Sequence, residues 1–96
     1  MRRDEIFQLV REHRKELGRF GVKSIALFGS VVRDEAGPAS DVDVLVEFDG
    51  PATFGRYMGL KLYLEDLFGV SVDVVTPRSL KPRVRPYVER EAIRVA

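Results

Sequence analysis

Three aspartates stand in runs of apolar residues, where a charge needs an explanation. Asp41 and Asp43 alternate at the start of a run that continues to Val46, and Asp73 is the one charge in the run Val70–Val75. Side chains two residues apart on a strand point to the same face, so the first two carboxylates share a face. An unpaired charge in an apolar strand costs several kcal/mol. The pattern therefore predicts a bound partner for these acids.

Magnesium is the partner that such ligands favour. Neighbouring carboxylates repel each other, and Mg²⁺ is often held by one or two carboxylates together with substrate phosphates. If the strand that carries Asp73 lies beside the strand of Asp41 and Asp43, the three acids outline a two-metal site for phosphoryl transfer. A calcium-binding loop is excluded, because Leu45 replaces a ligand and Ala52 stands where the closing glutamate should be.

A Gly-Ser turn precedes the acids. The apolar run Ser24–Phe28 is typical of a buried strand, and Gly29 and Ser30 follow it directly. Gly29 has no Cβ, so phosphates can approach its backbone closely. Ser30 offers a hydroxyl at a predicted helix N-terminus, where N–H groups favour an anion. Either short motif alone is usually a surface pair or a common turn, and the prediction of a phosphate site depends on their combination.

Together these motifs resemble the nucleotidyltransferases of the DNA polymerase β-like superfamily. The matching residues are Gly29-Ser30, Arg33, Ser40-Asp41-Val42-Asp43 and Asp73. The likeness extends from about residue 4 to the end of the chain and is greatest to the short minimal nucleotidyltransferases (MNT) that act as antitoxins. It implies catalytic and metal-ligating roles for Asp41, Asp43 and Asp73, two Mg²⁺ ions, ATP as substrate, and nucleotide binding at Gly29, Ser30, Arg33 and Ser40.

The resemblance also implies an activity and a partner. AMP would pass from ATP to a protein hydroxyl, and the acceptor protein would be a HEPN-domain toxin. Two alternatives stay open: a non-catalytic antitoxin that neutralises its toxin by binding, and a transferase that acts on RNA or a small molecule. For Arg33, an exposed pair with Asp34 or Glu35 is the alternative to a place beside the phosphates.

Composition limits the remaining possibilities. The 96 residues allow one domain, 1–96, which the resemblance implies is a single minimal nucleotidyltransferase domain. Sixteen Lys and Arg against fifteen Asp and Glu give no strong nucleic-acid signal. The absence of cysteine excludes a disulfide framework and agrees with a reducing compartment. No run approaches the roughly 20 apolar residues that a membrane span needs. We therefore expect a cytoplasmic protein without membrane contact.

Alternating helical and strand patterns predict an α/β fold with a small mixed β-sheet packed with helices, which the resemblance specifies as the polymerase β-like nucleotidyltransferase fold. The predicted elements are a helix from an Asp4 N-cap to about Phe20, a strand at Ser24–Phe28, a helical turn at Val31–Glu35, a loop at Ala36–Ser40, a strand at Val42–Val46, a helix from a Thr53 cap to about Phe68, a strand at Val70–Val75, a helix at Tyr87–Ala92 and an edge strand at Ile93–Ala96.

Three groups of residues have more than one interpretation. His13 is expected at the edge of the core rather than in catalysis. The aromatic residues Phe54, Tyr57 and Tyr63 are expected in the core rather than on a base-stacking platform. The C-terminal region is basic and is either solvated or in contact with a triphosphate or an acidic partner; its cations are Arg78, Lys81, Arg83, Arg85, Arg90 and Arg94.

Overall fold

The computed structural model describes residues 2–33 and 41–96. The predicted loop Ala36–Ser40, with Ser40 itself, lies outside these residues, as does the end of the predicted helical turn Val31–Glu35. The elements are α1 (Arg3–Glu12), α2 (Arg14–Gly18), β1 (Val22–Phe28), a 3₁₀ turn (Gly29–Val31), β2 (Val42–Phe48), α3 (Phe54–Phe68), β3 (Val72–Val75), a second 3₁₀ turn (Pro77–Ser79), α4 (Arg85–Glu91) and β4 (Ile93–Arg94).

The four strands form one mixed sheet in the order β3-β2-β1-β4. β1 pairs with β2 and with β4 in antiparallel fashion, while β2 and β3 are parallel. The connection between the parallel strands contains α3, as a parallel crossover requires. This arrangement confirms the predicted α/β class and mixed sheet. It also confirms that Asp43 and Asp73 lie on neighbouring strands.

The core lies between one face of the sheet and the helices. Alternate residues of the central strands are fully or almost fully buried, whereas the acids between them are not. The helices contribute apolar side chains to the same cluster. Buried core residues include Ile6, Val10, Leu17, Ile25, Leu27, Val42, Val44, Val46, Leu60, Leu64, Phe68, Val72 and Val74.

The predicted single helix from Asp4 to Phe20 is wrong in two respects. The chain breaks at His13, between α1 and α2, and the N-cap is Arg2, which makes no side-chain capping bond. The backbone N–H of His13 donates to the carbonyls of both Leu9 and Val10, at 3.1 and 3.2 Å. Its ring Nδ1 also lies 2.8 Å from the Leu9 oxygen. The bond to Leu9 is the regular helical one, whereas the second acceptor, Val10, and the ring contact depart from that pattern. The apolar spacing continues across the break.

Other helix signals are confirmed. The Thr53 hydroxyl accepts a hydrogen bond from the Arg56 N–H at 3.2 Å, which caps α3. Gly69 ends the same helix in the left-handed conformation. The predicted burial of Phe54 is wrong, because its side chain is 78% exposed. It is the first residue of α3, at the end of the helix, whereas Tyr57 and Tyr63 pack against the core.

A polar clasp attaches α3 to β3. Glu65 Oε2 accepts from the Val72 N–H at 3.0 Å and from Lys61 Nζ at 3.1 Å, and Lys61 also donates to the Val72 carbonyl at 2.5 Å. These bonds engage both backbone groups of Val72, which pairs with β2 on one side only because β3 is an edge strand. The clasp therefore fixes the strand that carries Asp73.

Among the described residues, no helix combines the length and the hydropathy that a membrane span requires.

Removing the clasp should loosen β3. Backbone and Lys61 hydrogen bonds hold the pKa of Glu65 below its usual range, so its contribution to stability is present at neutral pH and is lost as pH falls through the lowered pKa. We expect Glu65→Ala to lower the urea midpoint at pH 7 and to change it less at low pH. The neighbouring exposed Asp66→Ala is the matched control. Equal midpoints for the two variants at pH 7 would contradict the clasp.

Candidate active site

The centre of the site is a close approach between the end of β1 and the start of β2. Phe28 pairs with Asp43 in the antiparallel register, and Gly29 follows with φ +78. A Cβ at this position would overlap Asp43 Oδ2 and would lie 3.1 Å from its Cγ. Residue 29 must therefore be glycine both for its backbone conformation and for the carboxylate beside it.

The other two acids lie close to Asp43. Asp73 is its register partner across the parallel pair of β2 and β3. Asp41 stands directly before β2, where the Val42 N–H donates to the Ser71 carbonyl at 2.9 Å. Asp41 and Asp73 are exposed, whereas Asp43 is only partly exposed. The structure thus brings all three predicted acids to one end of the sheet, beside the Gly-Ser turn.

Burial and neighbouring charges together disfavour the ionised form of Asp43. Partial burial, and after it the carboxylates of Asp73 and Asp41, raise the pKa of Asp43 above its usual range. Arg33 acts in the opposite direction, and Glu91 adds to the increase. A cation beside the carboxylate of Asp43 would oppose this increase.

The residues fit a magnesium ion that substrate completes. Across residues 2–33 and 41–96, no three acidic or histidine side chains form a ready ligand set by themselves. Magnesium does not require one, since it commonly keeps waters and takes one or two carboxylates with substrate phosphates. The paired aspartates offer hard oxygen atoms of the kind that Mg²⁺ takes as ligands, and burial, followed by the carboxylates of Asp73 and Asp41, raises the pKa of Asp43.

The Gly-Ser turn is held in place from two sides. The Gly29 carbonyl accepts from the N–H groups of Val32 and Arg33, at 3.1 and 3.3 Å, and Arg3 Nη1 donates to the Val32 carbonyl at 3.0 Å. Ser30 lies within the 3₁₀ turn and is partly exposed. Of the residues predicted to bind nucleotide, Gly29, Ser30 and Arg33 are thus grouped at the acids, and Ser40 lies outside the described residues.

One residue at this turn is absent from the sequence prediction. Glu91, at the end of α4, accepts from the Gly29 N–H at 2.6 Å and from Arg33 Nη1 at 2.7 Å. The sequence allows two alternatives for Arg33, a place beside the phosphates or an exposed pair with a neighbouring acid. Neither includes the contact with Glu91 that the structure contains. No local pattern could indicate it, because the two partners are 58 positions apart.

An open groove lies beside Asp73. It has a volume of about 700 Å³ and is lined on its apolar side by Phe54, Tyr57, Val75 and Leu80. The groove adjoins the acidic end of the sheet, so a chain seated there could present a polar group to Asp73.

Solved structures share this fold. One provisionally described as a minimal nucleotidyltransferase has a TM-score of 0.75 at 43% identity and covers 91% of this chain and 93% of that chain. A toxin-antitoxin crystal structure with AMP-PNP has a TM-score of 0.71 at 21% identity, covering 100% of this chain and 73% of that one. The second likeness concerns the fold alone. The predicted polymerase β-like nucleotidyltransferase fold is confirmed.

Sequence relatives identify the family. The protein adenylyltransferase MntA of Thermococcus cleftensis is 44% identical over 93 residues, 96% of this chain and 94% of the relative. A Methanocaldococcus jannaschii protein with the provisional name protein adenylyltransferase is 42% identical over 95 residues, 95% of each chain. The family model described as a nucleotidyltransferase domain matches residues 10–95. The chain belongs to the nucleotidyltransferase domain family and is a nucleotidyltransferase.

Substitution of Gly29 tests the close approach. Gly29→Ala forces a left-handed residue to carry a Cβ and displaces the Asp43 carboxylate, so we expect the free energy of unfolding to fall by about 1–3 kcal/mol in urea denaturation. Gly55→Ala is the control, because a Cβ there meets nothing within 4 Å. The helical control should be neutral or slightly stabilising. An unchanged free energy for Gly29→Ala would contradict the contact.

The raised pKa of Asp43 predicts that the stability of the fold depends on pH. Ionised Asp43 is less favourable in the folded chain than in the unfolded chain, so stability falls as pH rises from 3.8 through the raised pKa. In metal-free buffer we expect Asp43→Asn to have a higher melting temperature than wild type at pH 7, with a smaller difference near pH 4. Asp66→Asn serves as the control in calorimetry. A lower melting temperature for Asp43→Asn at pH 7 would refute this account.

Proposed function

We propose that the protein transfers AMP from ATP to a hydroxyl group on a partner protein, as the antitoxin of a HEPN/MNT toxin-antitoxin pair. The observation that carries the proposal is the position of Asp43, which lies against Gly29 and in register with Asp73. This arrangement places carboxylates beside a turn whose backbone N–H groups can donate hydrogen bonds to phosphates. The relatives named protein adenylyltransferase support the same reaction.

Each site residue has a distinct task in this proposal. Asp41 and Asp43 hold magnesium, and Asp73 completes the ligand set for a second ion. Gly29 and Ser30 bind the β- and γ-phosphates through backbone N–H groups and the hydroxyl. The chemistry that Mg²⁺ supplies at such a site is neutralisation of phosphate charge and activation of the attacking oxygen. Arg33 and Ser40 are proposed to lie beside the phosphates.

The transfer itself is an in-line displacement. The acceptor oxygen forms a bond to the α-phosphorus of ATP, and the bond from that phosphorus to the β-bridging oxygen breaks. Pyrophosphate leaves with the electron pair of the broken bond. The hydroxyl proton passes to Asp73, which is exposed to solvent.

The groove beside Asp73 offers a place for the acceptor. Its apolar wall contains Tyr57 and Leu80, together with the exposed ring of Phe54. An aromatic side chain with a terminal hydroxyl has the right chemistry to pack on this wall and extend its oxygen towards Asp73. A tyrosine of the partner protein is therefore the acceptor that these residues favour.

The partner and the cellular setting belong to the same proposal. Solved relatives include complexes described as toxin-antitoxin MntA-HepT, which supports a HEPN-domain partner for this chain. We place the activity in the cytoplasm, which the absence of cysteine favours. The predicted single domain 1–96 is then a catalytic unit that meets its acceptor on another chain.

The decisive experiment measures label transfer. Purified protein, a HEPN-domain protein chosen as its partner, Mg²⁺ and ATP labelled at the α-phosphate should yield a labelled partner. We expect Asp41→Asn/Asp43→Asn to reduce the transfer rate by more than about 100-fold, because ligands and charge stabilisation are lost together. Asp49→Asn/Asp66→Asn removes the same number of exposed charges and should transfer normally. Undiminished transfer by the site variant would refute the proposal.

The same variant separates catalysis from binding. A non-catalytic antitoxin would still protect cells that express the toxin after both carboxylates are lost. The catalytic proposal predicts loss of protection although the variant remains folded, as circular dichroism can verify. Replacing the partner by RNA or by small-molecule acceptors tests the remaining alternative, for which we expect no labelled product.

A further inference from the structure

Glu91 joins the C-terminal helix to the Gly-Ser turn. One oxygen of its carboxylate accepts from the backbone N–H of Gly29 at 2.6 Å and from the guanidinium of Arg33 at 2.7 Å. The partners lie 62 and 58 positions away in the sequence. This contact is a feature of the tertiary structure alone.

The environment of this oxygen resembles that of a bound phosphate oxygen. Phosphates and carboxylates both accept hydrogen bonds from backbone N–H groups and from guanidinium groups, and these bonds are short and charge-assisted. Gly29 and Arg33 are also the groups that the proposed function assigns to the nucleotide phosphates. Two anions at these donors would repel each other, so Glu91 and a phosphate exclude one another there.

We propose that Glu91 is an internal competitor of the nucleotide, and that the phosphates of ATP displace its carboxylate from Gly29 and Arg33. The inference rests on the proposed function and adds to it a residue that sets nucleotide affinity. Glu91 is the last residue of α4. Nucleotide binding therefore releases one attachment of this helix.

The surroundings of Glu91 permit this exchange. The side chains of Arg33 and Glu91 are 47% and 33% exposed, and an ion pair so open to water is inexpensive to separate. No residue of α4 is buried, and Tyr87 is 67% exposed. The chain after α4 stays anchored, because β4 pairs with Ala26 and Leu27 of β1. Displacement therefore requires movement of the Glu91 side chain or of α4, and the sheet can remain intact.

A structural role for Glu91 makes the opposite prediction. If its carboxylate only orients Arg33 and the turn for the nucleotide, removal of that carboxylate weakens nucleotide binding. If it competes with the phosphates, removal strengthens binding. The sign of the change in affinity distinguishes the two roles.

The test uses isothermal titration calorimetry of the protein with Mg²⁺ and α,β-methylene-ATP. This analogue keeps the three phosphorus groups and cannot release pyrophosphate. We expect Glu91→Gln and Glu91→Ala to lower Kd about threefold to tenfold relative to wild type. Inorganic tripolyphosphate should show the same change, and adenosine should show none. Glu89→Gln is the matched control, since Glu89 lies on the same helix and pairs with Arg85 instead.

Each outcome decides the inference. Weaker or unchanged binding by both Glu91 variants, with wild-type binding intact, overturns the competitor role and leaves the proposed function standing. Absence of binding in wild type and variants alike overturns both. Thermal melting of each variant identifies a folding defect, and if Glu91→Ala does not fold, the near-isosteric Glu91→Gln decides alone.

Discussion

The site depends on a carboxylate that occupies the space where a side chain would otherwise lie. Asp43 reaches the backbone of Gly29 only because residue 29 lacks a Cβ. That proximity unites the end of one strand with the start of the next, so the turn proposed to bind phosphate and the acid proposed to bind metal lie in a single site. The left-handed backbone at residue 29 is a second reason why this residue must be glycine. Every proposed role of the turn presupposes this one glycine.

The folded chain tolerates charge at this end in exchange for function. Partial burial and neighbouring carboxylates disfavour the ionised form of Asp43. Hydrophobic residues on the opposite face of the same strands must supply the stability that the acids remove. Clustered charges of this kind are common at functional sites. The C-terminal helix adds a further acid, Glu91, whose cation partner Arg33 reduces the imbalance.

Much of this could be predicted from local sequence patterns. Strand alternation is sufficient to assign Asp43 and Asp73 to the less buried side of the sheet, and Thr53 and Gly69 mark the ends of their helix because capping is a short-range property. The break at His13 is not predictable in this way, since the apolar spacing continues through it. Glu91 is missed for a different reason. Its contacts are tertiary, and a glutamate on an exposed helix is locally indistinguishable from any other surface acid.

The parallel pairing of β2 and β3 has a consequence for the length of the chain between them. Consecutive strand residues point to opposite faces, and Val72 is buried while Asp73 is exposed. One residue inserted or deleted between Gly69 and Val72 that shifted the pairing register would exchange these positions, sending the acid into the hydrophobic interior and the valine to solvent. The burial of Val72 and the exposure of Asp73 therefore depend on the same register, and a change of length in this connection is compatible with both only where that register is kept.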